Sequence, residues 1–397
     1  MSAVPRTTTT TAPASPLRGV LRLPIDPLLI LATVGLAAIS LTAIGISTQD
    51  DIPGSPSYYL SRQAMFFGVG AILLVIISRL DYSRLRELKY VMYGGMLTLI
   101  AAVLVFGSVA RGSRRAIELP FFQVQPSELG KVLLLITLAG FAVDRSRRLR
   151  ERDTTAILVL LALVPAAMVM IQPDLGSALV YVVIVLAVLF AAGTSWKHFA
   201  GLAGLTAAAV AIALVAAPVT GVTLLHDYQV ERLTSFLHPS GDPGDAGYQQ
   251  NQAGIAIGAG QKTGRGVGAT QTRLNFLPEH HTDFVFAVIG ERWGFVGAAL
   301  VLSLYALLIW RGLRILTMAK NLYGALLAAG IVAMLMFQVF VNVGMNIGIM
   351  PITGIPLPLM SYGGSSVLTT LIAVGLLQSI YAQGRAAASH KGRVTAT

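Results

Sequence analysis

The sequence predicts an all-α integral membrane protein, a bundle of ten transmembrane helices with one large extracellular loop between the seventh and the eighth. Three observations carry this expectation. Of the 397 residues, 55% are hydrophobic and only 12% charged, against about 25% charged residues in soluble domains. Ten apolar runs reach the roughly 20 residues that cross a bilayer. Basic residues, finally, fall unevenly between the segments that join those runs.

Residues 1–22, "MSAVPRTTTTTAPASPLRGVLR", are rich in Thr, Ala and Pro and basic, and read as a disordered cytoplasmic N-terminal tail. No small-residue cleavage site follows the first apolar run, so that run is expected to stay as a span rather than to be removed as a signal peptide. The spans fall near 26–46, 62–79, 89–108, 127–143, 154–172, 176–193, 198–219, 284–310, 321–346 and 365–384. Residues 23–385 thus form one ten-helix domain, and 386–397 a cytoplasmic C-terminal tail. With the N-terminus inside, 19 of the 29 Lys and Arg lie on the cytoplasmic side. By the positive-inside rule both termini are cytoplasmic. The net charge of +11 is therefore topology and not a nucleic-acid surface. There is no cysteine, which excludes disulfides, thiolate catalysis and sulfur-ligated metal.

Most connections between spans are short. The exception is residues 220–283, and long loops in compact proteins are usually functional or disordered. Within it Gln249 to Ile257 are expected to form a short amphipathic or re-entrant helix. The glycine run after it, "GAGQKTGRGVG", lacks the ordered spacing and the strand–helix context of a phosphate-binding loop, and reads as a mobile segment over a cavity. No second domain and no internal repeat is visible.

Ionisable groups inside spans cost at least roughly 2.5–3.5 kcal/mol at mid-membrane and are functional candidates by default. Glu128 and Lys131, three apart at the start of the fourth span, share a helix face and can pair. They are either an internal ion pair that holds the bundle or a pair lining a polar cavity. Arg111, Arg114 and Arg115 stand in an outer loop against the positive-inside pattern, and arginine forks suit phosphate oxygens. Asp174 precedes an apolar run as a helix cap would. Asn342 and Asn346, four apart, suit interhelical hydrogen bonds, and Glu291 and Arg292 each need a partner of their own. Asp283 sits at the outer edge of the eighth span, after the large loop and beside His280 and His281. It is either a cap or, partly desolvated with a raised pKa, a general base. The two histidines, adjacent in sequence and with no further His nearby, do not argue for a metal site.

Four motifs, "QPSELGK" from Gln125, "QPDLGSAL" from Gln172, "LPEHHTDFVFAVIGERWGFVG" from Leu277 and "GIPLPLMSYGGSS" from Gly354, stand in this order along the chain. In this arrangement the sequence resembles the SEDS family of bacterial cell-wall proteins over residues 26–385. It is most similar to the elongation branch, with the division and sporulation branches as alternatives. The resemblance implies a peptidoglycan glycosyltransferase that polymerises lipid II outside the cytoplasmic membrane and releases undecaprenyl diphosphate. It implies Asp283 as the catalytic residue. Gln125, Glu128, Lys131, Asp174, His281 and one of Arg114 and Arg115 are then expected at the substrate. The family arginine usually precedes Trp, whereas Ala116 follows Arg115 here; Arg292 likewise stands where an acidic residue is common. No resident cofactor is required, although a divalent cation (Mg or Mn) is admissible as a Lewis acid. The implied partners are a class B penicillin-binding protein, the elongation machinery and membrane lipid, with no nucleic acid. The competing readings are a lipid II flippase and a non-catalytic scaffold.

Overall fold

Helix starts are written locally in this chain. Asp26 accepts hydrogen bonds from the Leu28 and Leu29 amides with Pro27 in the first turn, which opens α1 (Pro27–Ser47) as capping and proline preferences require. Pro126 likewise stands in the first turn of α4 (Pro126–Asp144), there without a side-chain cap. Asp174 caps α6 (Leu175–Ala191) through the Ser177 amide, and Asn321 caps α10 (Leu322–Asn346) through Gly324. The remaining helices in chain order are α2 (Tyr58–Arg79), α3 (Lys89–Phe106), α5 (Arg152–Ile171), α7 (Trp196–Ala211), α8 (Asp245–Gly260), α9 (Val285–Met318) and α11 (Gly364–Val394).

The computed structural model describes residues 24–110, 113–118, 123–212, 245–273, 276–277 and 279–394. The expected tail 1–22 lies outside them, as does the first part of the large loop. Among the described residues eight helices are long and apolar enough to cross a membrane: α1 to α5 and α9 to α11. α6 is apolar but shorter, and α7 is described over 16 residues. The protein is a multi-pass helical membrane protein. To that all-α plan the structure adds a small antiparallel sheet between α3 and α4, in the order β1 (Ser108–Ala110), β2 (Ser113–Glu118) and β3 (Gln123–Val124).

Burial sorts the helices into an inner and an outer set. In α4 and α11, 83% of the apolar window is buried, against 22% in α2 and α3, so the last two spend most of their surface on lipid. Close approach of α2 and α11 depends on glycine, as is usual where lipid offers no hydrophobic drive between helices. A Cβ on Gly70 would lie 2.3 Å from Leu371, and one on Gly375 would lie 3.0 Å from the Leu74 carbonyl.

At one end of the bundle charged pairs close the structure. Arg311 grips the fully buried Asp26, Lys89 and Arg86 meet Asp144 at 2.7 and 2.8 Å, and Lys320 lies 3.4 Å from Asp81. The opposite end carries the four motifs.

The glycine run departs from its expected mobility. Gly294 interrupts α9 with φ 63° and ψ −157°, and the segment after α8 docks backbone-to-backbone on that break. The Arg265 amide donates to the Glu291 carbonyl at 2.9 Å, while Phe295 and Val296 donate to the Gln261 and Lys262 carbonyls at 2.9 and 3.1 Å. A Cβ on Gly264 would stand 2.1 Å from the Arg292 carbonyl oxygen. Gly260 and Gly264 serve contact here, while a Cβ on Gly258, Gly266 or Gly268 would meet nothing within 4 Å. Glu291, fully buried, accepts from the Gln271 amide at 2.8 Å.

Candidate active site

The helix that follows Asp283 is capped at Phe284 with no side-chain bond, and the Asp283 side chain is half-buried in the turn before it. What holds Asp283 is its own carbonyl, which accepts from Asn342 Nδ2 and Asn346 Nδ2, both at 3.1 Å. Asn346 Oδ1 in turn accepts from the Ala287 amide at 3.1 Å, so one buried amide clamps both sides of the α9 start. The two asparagines, expected only as interhelical glue, position the Asp283 turn.

The segment 347–363 between α10 and α11 is the hub of the site. Ile355 O accepts from Asn342 Nδ2 at 2.9 Å, Ser361 Oγ donates to Thr282 O at 2.6 Å, and the Tyr362 amide donates to His281 O at 2.8 Å. A Cβ on Gly354 would come within 3.8 Å of Asp283 Oδ2. From the other side Gly176, two residues after Asp174, abuts the same segment. A Cβ there would meet Thr353 O and Ile355 Cγ1, each at 2.8 Å. Asp174 and Asp283 therefore flank one short stretch of backbone, though 109 positions separate them in the sequence.

Asp174 is more than a cap. Besides the Ser177 amide at 3.0 Å it accepts from Gln125 Nε2 and Ser127 Oγ, both at 3.0 Å. Tyr181 OH donates to Ser127 O at 3.0 Å, and the Gln125 amide donates to Ser365 Oγ at 2.9 Å. This network joins the starts of α4, α6 and α11. One turn along α4, Lys131 Nζ lies 2.5 Å from Glu128 Oε1, with residue exposures of 1% and 3%. Of the two sequence alternatives, this geometry supports the internal ion pair. Arg114 and Arg115 lie on β2, with Val109 opposite Arg114.

His281 packs between Tyr59 (ring centroids 4.6 Å apart) and Tyr362 (5.7 Å). Burial pushes the Tyr362 phenol up, against the opposing Arg62 guanidinium, so this phenol stays protonated at neutral pH. Asp51, in the connection between α1 and α2, reaches both histidines, with its Oδ2 at 3.2 Å from His280 Nε2 and 3.9 Å from His281 Nδ1. Sequence reading missed Asp51 because more than 220 residues separate it from the histidines. It missed Ser361 because that motif reads as small residues for helix packing.

Comparison with known proteins places the chain among relatives of known name. The FtsW/RodA/SpoVE family, described as a cell cycle protein, matches residues 24–386. The chain is 38% identical over 358 residues to the probable peptidoglycan glycosyltransferase FtsW of Thioalkalivibrio sulfidiphilus, covering 89% of this chain and 87% of that one. It is 36% identical over 360 residues to the peptidoglycan glycosyltransferase MrdB of Escherichia coli, covering 90% and 93%. Among solved structures, a chain of a peptidoglycan synthase complex studied for its coordination of polymerization and crosslinking superposes with a TM-score of 0.75. It is 34% identical, with 91% of this chain and 99% of that one covered. The rod shape determining protein RodA of Thermus thermophilus superposes with a TM-score of 0.66 at 32% identity, covering 91% and 98%. With the motifs gathered at one end of the bundle as described, the chain belongs to the FtsW/RodA/SpoVE (SEDS) family of peptidoglycan glycosyltransferases.

Proposed function

We propose that this protein polymerises lipid II into glycan strands at the outer face of the cytoplasmic membrane during cell elongation, with Asp283 as general base and both termini cytoplasmic. The observation that carries the proposal is the placement of Asp283: half-buried, in the turn that precedes α9, with its carbonyl clamped by Asn342 and Asn346. A lipid-anchored acceptor places its sugar just above the bilayer, where this end of the bundle stands in the proposed topology. Asp283 takes the proton of the acceptor GlcNAc 4-hydroxyl. That oxygen forms the new bond to the anomeric carbon of the donor MurNAc as the bond to undecaprenyl diphosphate breaks, so configuration inverts. Successive residues of a strand alternate between faces, so one of Arg114 and Arg115, neighbours on β2, stabilises charge developing on the pyrophosphate, as a fixed cationic donor does. Gln125, Asp174 and His281 line the substrate path. Lys131, committed to Glu128, acts through that pair.

Family relatives carry both division and elongation names, so a division-type polymerase is the second reading. A class B penicillin-binding protein that cross-links the new strands is the proposed partner. Purified protein with lipid II tests the reaction: Asp283→Asn keeps the shape and is expected to lower polymerisation by at least ~10², the range of a lost acid–base group, with thermal stability unchanged. Movement of fluorescent lipid II between leaflets of a proteoliposome, measured on the same preparation, is expected in neither protein. Scrambling that depends on Asp283 without any polymer would establish a flippase instead.

A further inference from the structure

Asp51, His280 and His281 form a cluster that neither the acid–base chemistry nor the pyrophosphate contacts above use. One ligand atom from each lies within 4.8 Å of the others. His280 is 4% exposed, and the Asp51 and His281 side chains are 12% and 16% exposed. His280 Nδ1 faces the Leu277 carbonyl at 3.2 Å, which places the proton on that nitrogen in the neutral ring. The lone pair is then on Nε2, and Nε2 points into the cluster. Its neighbour there is Asp51 Oδ2 at 3.2 Å, yet among the described residues Nε2 finds no hydrogen-bond partner. Two electron-rich atoms thus stand within van der Waals distance without a proton aligned between them. A backbone carbonyl that orients one ring nitrogen while the other meets a carboxylate is the usual outer shell of a metal-ligating histidine.

We infer that His280 Nε2, His281 Nδ1 and an Asp51 carboxylate oxygen form a binding site for a zinc-class divalent metal. Tetrahedral coordination at about 2.0–2.1 Å sets neighbouring ligand atoms about 3.3 Å apart. The separations of 3.2 and 3.9 Å need only a small inward movement of His281. Two imidazoles and one carboxylate favour Zn, Co or Ni over Mg, which prefers an all-oxygen octahedron. Such an ion would tie the α1–α2 connection to the segment two residues before Asp283. It adds a structural clamp to this end of the bundle whatever reaction takes place there.

The test uses the full chain in detergent with any affinity tag removed, treated with chelator and then titrated with Co(II), whose visible ligand-field bands report coordination. One Co(II) per chain is expected, displaced by Zn(II) and unaffected by excess Mg(II). His280→Gln and Asp51→Asn should each weaken binding by at least about 100-fold, since even outer-shell changes cost 10–100-fold. His198→Gln, at the Thr155 contact far along the chain, should bind as the parent does. His280→Cys replaces one ligand by another and should retain Co(II) while adding a thiolate charge-transfer band, which a misfolded or merely destabilised variant would not show. The proposal is overturned by sub-stoichiometric binding in the parent, by undiminished binding in His280→Gln and Asp51→Asn, or by a site that takes Mg(II) in preference to Co(II).

Discussion

Asp283 owes its place to two asparagines one helical turn apart, whose side-chain amides both end on its carbonyl. Replacing Asn346 removes one of those two bonds and leaves the buried Ala287 amide without its acceptor, at a cost of about 1–3 kcal/mol. Asn346→Ala is therefore expected to lower both the melting temperature and the turnover, and Asn346→Asp to recover less than its similar shape suggests, because it cannot donate. Rates and thermal melts on the same preparations check this; a variant with unchanged turnover would remove the positioning role. Glu128 and Lys131 make a second residue-scale case. Removing one member of a truly dry pair costs roughly 3–5 kcal/mol, because the other charge is left buried. Glu128→Gln and Lys131→Met should each lose activity, and the double variant less than the sum. Simple additivity of the two losses in a double-mutant cycle would show that the groups are uncoupled.

At the scale of elements, α9 is broken so that a loop can lie against it. Gly294 takes a positive φ that non-glycine residues reach only with strain, and a Cβ there would sit 2.4 Å from the Gly264 nitrogen. Gly294→Ala combines that strain, about 1–3 kcal/mol, with displacement of the loop backbone. The expected result is a lower melting temperature and loss of polymerisation, with protease cutting appearing in 258–268. Resistance to cleavage equal to that of the parent would contradict the docking. The α10–α11 connection is a comparable device. Leu359 holds φ 63° while its neighbours are bound from three sides, Met360 O by Ser40 at 2.8 Å and Ser361 O by Gln63 at 3.2 Å, with Tyr305 OH donating to Pro358 O. Strained backbone persists where surroundings over-determine it, and here it holds the stretch that separates Asp174 from Asp283.

Across the whole molecule, the ion pairs around Asp26 and the candidate site lie at opposite ends. Asp26 caps α1, pairs with Arg311 of α9 and exchanges two backbone–side-chain hydrogen bonds with Gln378 of α11 at 2.9 and 3.0 Å. Three helices far apart in sequence are thus joined through one fully buried residue, its carboxylate held by Arg311 and its backbone by Gln378. Arg311→Met is expected to cost roughly 3–5 kcal/mol, the penalty for an uncompensated buried charge, read as a drop in melting temperature in detergent. Polymerisation per folded molecule should stay near that of the parent. That pattern is the reverse of Asp283→Asn, and a selective loss of turnover in Arg311→Met would join the two ends mechanistically.

The sequence by itself determined the membrane class, the order of the spans and the four motifs, because hydropathy, helix caps and prolines act within a few residues of one another. Asp26, Pro126 and Asp174 announce their helices in this way, and Asp283 was legible as a carboxylate at a span edge. It could not say where α9 begins relative to Asp283, nor that Glu128 and Lys131 are enclosed. Only the tertiary structure decided these, together with the docking of the glycine run, the asparagine clamp and the meeting of Asp51 with His280 and His281. The last three are contacts between segments from about 26 to about 230 positions apart, where side-chain geometry is set by helix packing and leaves no local pattern to read.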